Sequence, residues 1–181
     1  MKFNIVIATL GLEFSGNTLE KQALGGSETA VIYVAKELVK LGHDVRVINN
    51  CSEEGIFEGV QYKDIKNWNV TWQYIDCDIF ICSRFFDLGR AKINSKLNIL
   101  WNHDVCSIPD QLMSSIWNYD YMYCLSEYHK KDYLTKLTDL EKIIKLNSNG
   151  VDFSICQKLP KKHKIMFTSR PERGLLKALS L

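Results

Sequence analysis

The chain lacks several features that assign a protein to a simple class. It has no uninterrupted run of the roughly 18 to 20 apolar residues that a membrane-spanning helix needs, and its N-terminus has no signal-peptide pattern. Its 23 basic and 21 acidic residues give a formal net charge of +2, without the strong basic excess of a nucleic-acid-binding domain. These absences predict a cytoplasmic protein with no integral membrane segment and no nucleic-acid partner.

Cysteine occurs six times but never as a CxxC pair, and histidine and cysteine do not cluster at the spacing of zinc ligands. Several cysteines instead lie in apolar, strand-like runs such as residues 79–82 and 121–124. Cysteine in such surroundings behaves as a small hydrophobic residue. We therefore expect buried, reduced thiols and no bound metal.

Short β-rich runs alternate with helical patterns, which is typical of parallel βαβ units. The prediction is an α/β fold, a Rossmann-like open parallel sheet of about seven strands with flanking helices. The predicted strands are residues 3–8, 44–48, 60–62, 78–82, 97–101, 121–125 and 142–146.

Three helices have recognisable ends. Ser27 is a good N-cap and Gly42 a good stop for the first, which is expected to bury Ala30, Val31, Val34, Leu38 and Leu41. The second begins near Pro109 and ends near Trp117, which we expect to be a core residue. The third runs from Ser126 to Leu137.

Proline is scarce, and one of the three prolines, Pro160, lies beside the basic run 161–164. This stretch is the best linker candidate. We expect a Rossmann-like N-terminal domain over residues 1–157, followed by a linker and the incomplete start of a second domain over residues 158–181. An apolar strand there leads into a turn with two arginines and a glycine at a helix start, a pattern suited to a diphosphate.

In an open parallel sheet, ligands bind outside the carboxyl ends of the strands, where the strand order reverses. Polar or glycine-containing segments follow five of the predicted strands. They include Gly25 and Gly26 after the first, Ser83 and Arg84 after the fourth, Asn102 and Asp104 after the fifth, and Ser126 and Glu127 after the sixth.

The glycine pair before the first helix suits an anion. Without a Cβ at Gly25 or Gly26 the backbone can approach a ligand closely, and the following helix N-terminus favours a phosphate. A tight turn into the helix is the alternative explanation. No G-x-G-x-x-G pattern follows the first strand, which disfavours a dinucleotide-dependent enzyme such as an epimerase.

Five segments of the chain resemble the family 4 glycosyltransferases of the GT-B fold, and their order and spacing also agree. They are residues 25–45, 101–104, 126–129, 149–152 and 168–175. The resemblance implies two facing Rossmann-like domains. The full-length enzyme would transfer a sugar from a nucleotide-sugar donor to a glycan or other hydroxyl acceptor, without a metal or a cofactor and with retention of configuration. The N-terminal domain would hold mainly the acceptor.

The resemblance also implies roles for single residues. Arg170, Arg173 and Gly174 match the positions that grip the donor diphosphate, with Gly25 and Gly26 facing them across the cleft. His103 matches a histidine close to the transferred sugar and is the candidate catalytic residue, although a structural role is the alternative. The acceptor vicinity would include Trp101, Asn102, Asp104, Ser83, Arg84, Ser126 and Glu127. The other histidines, His43, His129 and His163, are expected on turn, helical or linker surfaces without a functional role.

The carboxylate pair that contacts the donor in this family would lie downstream of residue 181. We therefore expect the chain by itself to be inactive as a transferase. We also expect self-association through apolar surface left by the missing domain. The main alternative is a non-catalytic module that binds a glycan or a phosphosugar.

Overall fold

The computed structural model describes residues 1–67, 75–90, 93–151, 160 and 175–180. Within them the chain divides into a unit over Met1–Asn149 and a smaller unit over Gly150–Leu181. The predicted domain boundary near residue 157, and with it Arg170, Arg173 and Gly174, lies outside the described residues. The helix α5 (Leu175–Leu179) is the regular element described in the second unit.

The first unit is built on one sheet of eight strands. The strands are β1 (Asn4–Thr9), β2 (Asp44–Asn49), β3 (Gly55–Phe57), β4 (Val60–Asp64), β5 (Ile75–Ser83), β6 (Ile93–Trp101), β7 (Tyr121–Cys124) and β8 (Ile144–Leu146). Their order is β3-β4-β2-β1-β5-β6-β7-β8. Every neighbouring pair is parallel except β3 with β4. The predicted open parallel sheet of about seven strands is confirmed.

The eighth strand, β3, was not predicted. It pairs antiparallel with β4 through a tight turn in which Glu58 and Gly59 both have positive φ, 47° and 81°. Two successive residues with positive φ suit the right-handed twist of a short hairpin. Sequence pattern does not reveal this hairpin, because the strand has only three residues and its turn lacks the familiar Asn-Gly or Asp-Gly pair.

The helices of the first unit are α1 (Thr18–Lys21), α2 (Gly26–Lys40), α3 (Pro109–Ile116) and α4 (Glu127–Lys136), with 3-10 turns at Ile65–Asn67, Phe86–Arg90 and Thr138–Lys142. Helix α2 packs on the half of the sheet formed by β2 and β4, whereas α4 packs against β7 and β8. Strand β1 is buried along nearly its whole length, which explains its continuous apolar sequence.

Helix α2 differs from the prediction at its start and on its buried face. Its N-cap is Gly25, not Ser27, whose hydroxyl instead donates to the Glu28 carboxylate. The buried face consists of Glu28, Val31, Ile32 and Ala35, and Leu41 is exposed because the helix ends at Lys40. Gly42, with φ +92°, does terminate the helix as expected.

Two further residue predictions have clear outcomes. Trp117, expected in the core, is 64% exposed because α3 ends at Ile116 and turns the indole outward. The five described cysteines are buried and free, as predicted; they are Cys51, Cys77, Cys82, Cys106 and Cys124. Burial raises the pKa of the Cys82 thiol to about 12 and that of the Cys77 thiol to about 11, so both are protonated near neutral pH.

Candidate functional site

The strand order reverses at β1, with β2 on one side and β5 on the other. In the register of the sheet Thr9, the last residue of β1, lies opposite Ser83 of β5, and Ser83 lies opposite Trp101 of β6. The segments that follow β1, β5 and β6 therefore leave the sheet side by side. This edge is where a parallel sheet of this type binds ligands.

The N-terminus of α2 is one wall of this edge. Gly25 is its N-cap and makes no side-chain cap hydrogen bond, so within the described residues the first-turn N–H groups and the positive end of the helix dipole have no side-chain cap. A Cβ at Gly25 would run into the Glu28 carboxylate, whereas a Cβ at Gly26 would meet no atom within 4 Å. A side chain at Gly25 would therefore displace the Glu28 carboxylate, whereas Gly26 leaves open space beside the amides.

Glu28 is a buried carboxylate that is not among the predicted site residues. Its side chain is 4% exposed. It accepts hydrogen bonds from the Ser27 hydroxyl (2.9 Å) and the backbone N–H of Leu12 (3.4 Å). Its position in the first turn also favours a negative charge. The signal was present in the sequence as an acidic residue on the buried side of an otherwise apolar helical face.

Arg84 connects α2 to the segment that follows β6. Its Nε atom donates to the Asp104 carboxylate (2.7 Å), and its Nη1 atom donates to the Ser27 hydroxyl (3.1 Å) and lies 3.7 Å from Glu28 Oε1. The backbone of Arg84 has φ +68°, a strained conformation for a residue with a side chain. Such strain is typical of functional sites, and here it directs the guanidinium across the ends of the strands.

His103 lies next to this bridge. Its ring packs on the Trp101 ring, with centroids 4.5 Å apart. Burial and the nearby Arg84 guanidinium lower the pKa of His103 to about 4, so the imidazole is neutral near pH 7. Among the described residues, its Nε2 atom, Trp101 Nε1 and Ser83 Oγ are buried atoms without a hydrogen-bond partner. Unpaired buried polar atoms are uncommon in folded proteins, and these three sit at the ends of two adjacent strands.

A polar face of α4 fixes the segment that carries His103. His129 accepts from the Leu125 N–H at Nδ1 (3.1 Å), so its proton is on Nε2, which donates to the Asp104 carbonyl (2.6 Å). The Tyr133 hydroxyl accepts from the Asn102 amide (2.7 Å) and donates to the same carbonyl (3.1 Å). Asp132 accepts from the Cys106 N–H.

The prediction for His129 was therefore wrong, because the residue is 6% exposed and not on a polar surface. The i, i+3, i+4, i+7 spacing of His129, Asp132, Tyr133 and Lys136 could have revealed one polar face. Its contact with the residue 102–106 segment depends on tertiary structure, which that spacing does not encode.

Substituting Tyr133 by phenylalanine is expected to lower the free energy of unfolding by about 1 to 3 kcal/mol, because the buried Asn102 amide loses its partner. The measurement is urea denaturation followed by circular dichroism. Tyr128→Phe, at an exposed position on the same helix, is the matched control and should cost less than about 0.5 kcal/mol. Equal effects of the two substitutions would contradict the assigned role.

His103 should titrate near pH 4 instead of its usual 6.5. Because the folded state then binds fewer protons than the unfolded state between these values, the His103 contribution to stability is complete above about pH 6.5 and decreases as the pH falls toward 4. We expect a loss on the order of 2 kcal/mol over this window. Urea denaturation at several pH values, compared with His103→Asn, isolates the effect; identical pH profiles for both proteins would disprove it.

The predicted site residues divide into two groups. The first group lies around the ends of β1, β5 and β6. It consists of Gly25, Gly26, Ser83, Arg84, Trp101, Asn102, His103 and Asp104. Ser126 caps α4 by accepting from the His129 N–H (3.1 Å). Glu127 is exposed and borders a shallow surface depression with Lys130 and Lys131. Neither Ser126 nor Glu127 has a described contact with the Arg84 bridge.

No group of three or more histidine, cysteine, aspartate or glutamate side chains is arranged to hold a metal within the described part of the chain. A separate result concerns membranes: none of the described helices has the length and apolarity needed to cross one.

The architecture is a Rossmann-like open α/β sheet with flanking helices, as in one half of the GT-B fold. Among solved structures, a lipopolysaccharide outer core galactosyltransferase, WaaB, in its apo form matches with a TM-score of 0.54 and 16% sequence identity. The match covers 99% of this chain and 57% of that chain, so this chain spans a little over half of the neighbour's length. No protein-family model and no curated protein sequence matches the chain. At this identity the likeness shows the fold alone.

Proposed function

We propose that the chain is the N-terminal, acceptor-side half of a glycosyltransferase similar to family 4 enzymes, which transfers a sugar from a nucleotide-diphosphate sugar to a hydroxyl acceptor. One observation carries the proposal. Among the described residues, the α2 N-terminus beside Gly26 has no side-chain cap, and the neutral His103 has no hydrogen-bond partner at Nε2; both lie at the strand-order reversal of a GT-B-type sheet. The first suits phosphate and the second suits a sugar hydroxyl.

The donor diphosphate is assigned to the amides at the start of α2. The open space at Gly26 permits a phosphate oxygen to approach the backbone. The nearby Glu28 carboxylate would repel an anion, but Arg84 lies against it and balances its charge. Arg170, Arg173 and Gly174 are proposed as further ligands of the donor diphosphate on the basis of the sequence resemblance alone.

His103 is the proposed catalytic residue. A neutral imidazole can donate to or accept from a sugar hydroxyl, and its Nε2 atom is buried without a hydrogen-bond partner among the described residues. The proposed reaction retains configuration and uses neither a metal nor a cofactor. The residues proposed to surround the sugar or the acceptor are Ser83, Arg84, Trp101, Asn102 and Asp104.

Sugar transfer should be assayed with a panel of nucleotide-diphosphate sugars. The protein assayed contains this chain and a complete second domain (the second lobe), and the His103→Ala variant is measured in parallel. We expect transfer by the parent protein and a decrease of at least about 100-fold in the variant, the scale of a positioned acid–base or hydrogen-bonding group. The isolated chain should give no transfer. Wild-type rates for His103→Ala would contradict the role given to this residue.

A non-catalytic module that binds a glycan or phosphosugar is the second candidate. It is favoured by one observation, that the described site residues all belong to the Met1–Asn149 unit. In the same assay a protein of this kind would bind sugars without consuming any donor. The proposed location is cytoplasmic, and self-association through the second unit stays a prediction that light scattering can test.

A further inference from the structure

A cleft of about 290 Å³ is lined in part by the Arg84 and Asp104 pair. Its walls come from the segment after β5, the segment after β6 and the start of α3. Phe85, Phe86, Val105, Ile108 and Leu112 give it a largely apolar lining. Val105 and Ile108 are 51% and 43% exposed, so apolar surface continues to the rim.

The charged groups around the cleft are already paired. Arg84 contacts Asp104 and Glu28, Arg90 contacts Asp87, and Lys136 contacts Asp132. Of the charged residues described in the lining itself, two are carboxylates, Asp87 and Asp104, and one is a guanidinium, Arg84. An anionic ligand would have to compete with these carboxylates for the cations, which is electrostatically unfavourable.

The polar groups that border the cleft suit an uncharged hydroxylated ligand. The Asp104 side chain is 63% exposed, and a carboxylate accepts hydrogen bonds from sugar hydroxyls without needing a counter-ion from the ligand. Ser107 adds a hydroxyl that can donate or accept. The apolar walls and rim provide contact area for a part of the ligand that has no hydroxyl groups.

We propose that this cleft binds an uncharged glycoside with an apolar aglycone, and that such a glycoside is the acceptor class of the enzyme. The assignment of the cleft as an acceptor site rests on the proposed function. Two separate features determine which acceptors bind. The cations near the cleft are already paired with carboxylates, which disfavours anionic acceptors, and the rim formed by Val105 and Ile108 favours an apolar group next to the sugar.

The test uses the isotopically labelled chain and three probes, monitored by the backbone amide shifts of Val105, Ser107 and Ile108. The probes are monomeric octyl β-D-glucopyranoside, methyl β-D-glucopyranoside and octyl phosphate. Octyl glucoside is expected to bind most tightly, at least about tenfold more tightly than methyl glucoside, which lacks the alkyl contact. Octyl phosphate keeps the alkyl chain but should bind several-fold more weakly than octyl glucoside.

Substitutions inside and outside the cleft test whether octyl glucoside binds there. Ile108→Asn should weaken octyl glucoside binding by roughly fivefold, since it removes rim contact area, while asparagine at this N-cap position of α3 supports the helix. Ile56→Asn, at an exposed position on β3 at the opposite edge of the sheet, should leave binding unchanged. Asp104→Asn should raise the affinity for octyl phosphate, because Arg84 loses a carboxylate partner.

The inference is overturned if octyl phosphate binds as tightly as octyl glucoside, if methyl glucoside binds equally well, or if no saturable shift occurs with octyl glucoside. These outcomes are read from the cleft amides of this chain without any transfer reaction. Failure of the proposed function is read separately, from the absence of sugar transfer by the protein that contains both lobes.

Discussion

Replacing Arg84 by alanine is expected to lower the free energy of unfolding by about 2 kcal/mol. The substitution leaves the buried Glu28 carboxylate without its cation, and removing one partner of a buried pair costs several kcal/mol when both are fully desolvated. Because the Arg84 side chain is 31% exposed, solvent screening places the expected value at the lower end. Urea denaturation at neutral pH measures it.

Two companion substitutions separate the causes. Asp104→Asn removes the other, largely exposed carboxylate partner and should cost less than about 0.5 kcal/mol. Arg84→Gly removes the same charge as Arg84→Ala but also relieves the strain of φ +68°, so it should be about 1 kcal/mol more stable than the alanine variant. If Arg84→Ala is no less stable than Asp104→Asn, Glu28 does not depend on Arg84.

The second large effect concerns the two glycines at the start of α2. Gly26→Ala should keep or slightly increase stability, by up to about 0.5 kcal/mol, since the new Cβ enters open space and alanine favours the helix. The same methyl group would occupy the space assigned to the donor phosphate. In protein with both lobes, kcat/KM for the nucleotide sugar should therefore fall by at least about tenfold.

Gly25→Ala is the contrasting variant. Its Cβ would collide with the Glu28 carboxylate, so the carboxylate must move and stability should fall by about 1 to 2 kcal/mol. Urea denaturation and initial rates of sugar transfer for both variants provide the comparison. A Gly26→Ala protein with unchanged stability and unchanged kcat/KM would show that no ligand approaches this position.

The sheet was predictable because buried parallel strands have continuous apolar sequences. Each of the seven predicted strands overlaps a parallel strand of the sheet. The edge strand β3 was missed because three residues carry too little pattern. Helix α2 was recognised, but its N-cap was misplaced. Serine is a common N-cap residue, but the Ser27 hydroxyl donates a hydrogen bond to the Glu28 carboxylate instead.

The candidate site was predictable only in part. The residues at strand ends could be grouped because parallel strands share one carboxyl edge, and this identified Arg84, Asn102, His103 and Asp104. Local pattern could mark Glu28, His129 and Tyr133 as unusual on their helices, but it could not show what they contact. Each lies on a helix, and its role comes from contacts with segments 16 to 31 residues away in sequence. Such contacts depend on tertiary packing and not on local pattern.

The central claim is that the edge formed by Gly26, Arg84 and His103 belongs to a sugar-transferring enzyme. It is tested most directly by the rate of sugar transfer from nucleotide-diphosphate donors to an uncharged glycoside, with protein that contains this chain and the second lobe. The account predicts transfer without added metal that falls at least about 100-fold in His103→Ala. Absence of transfer with every donor in the panel would contradict it.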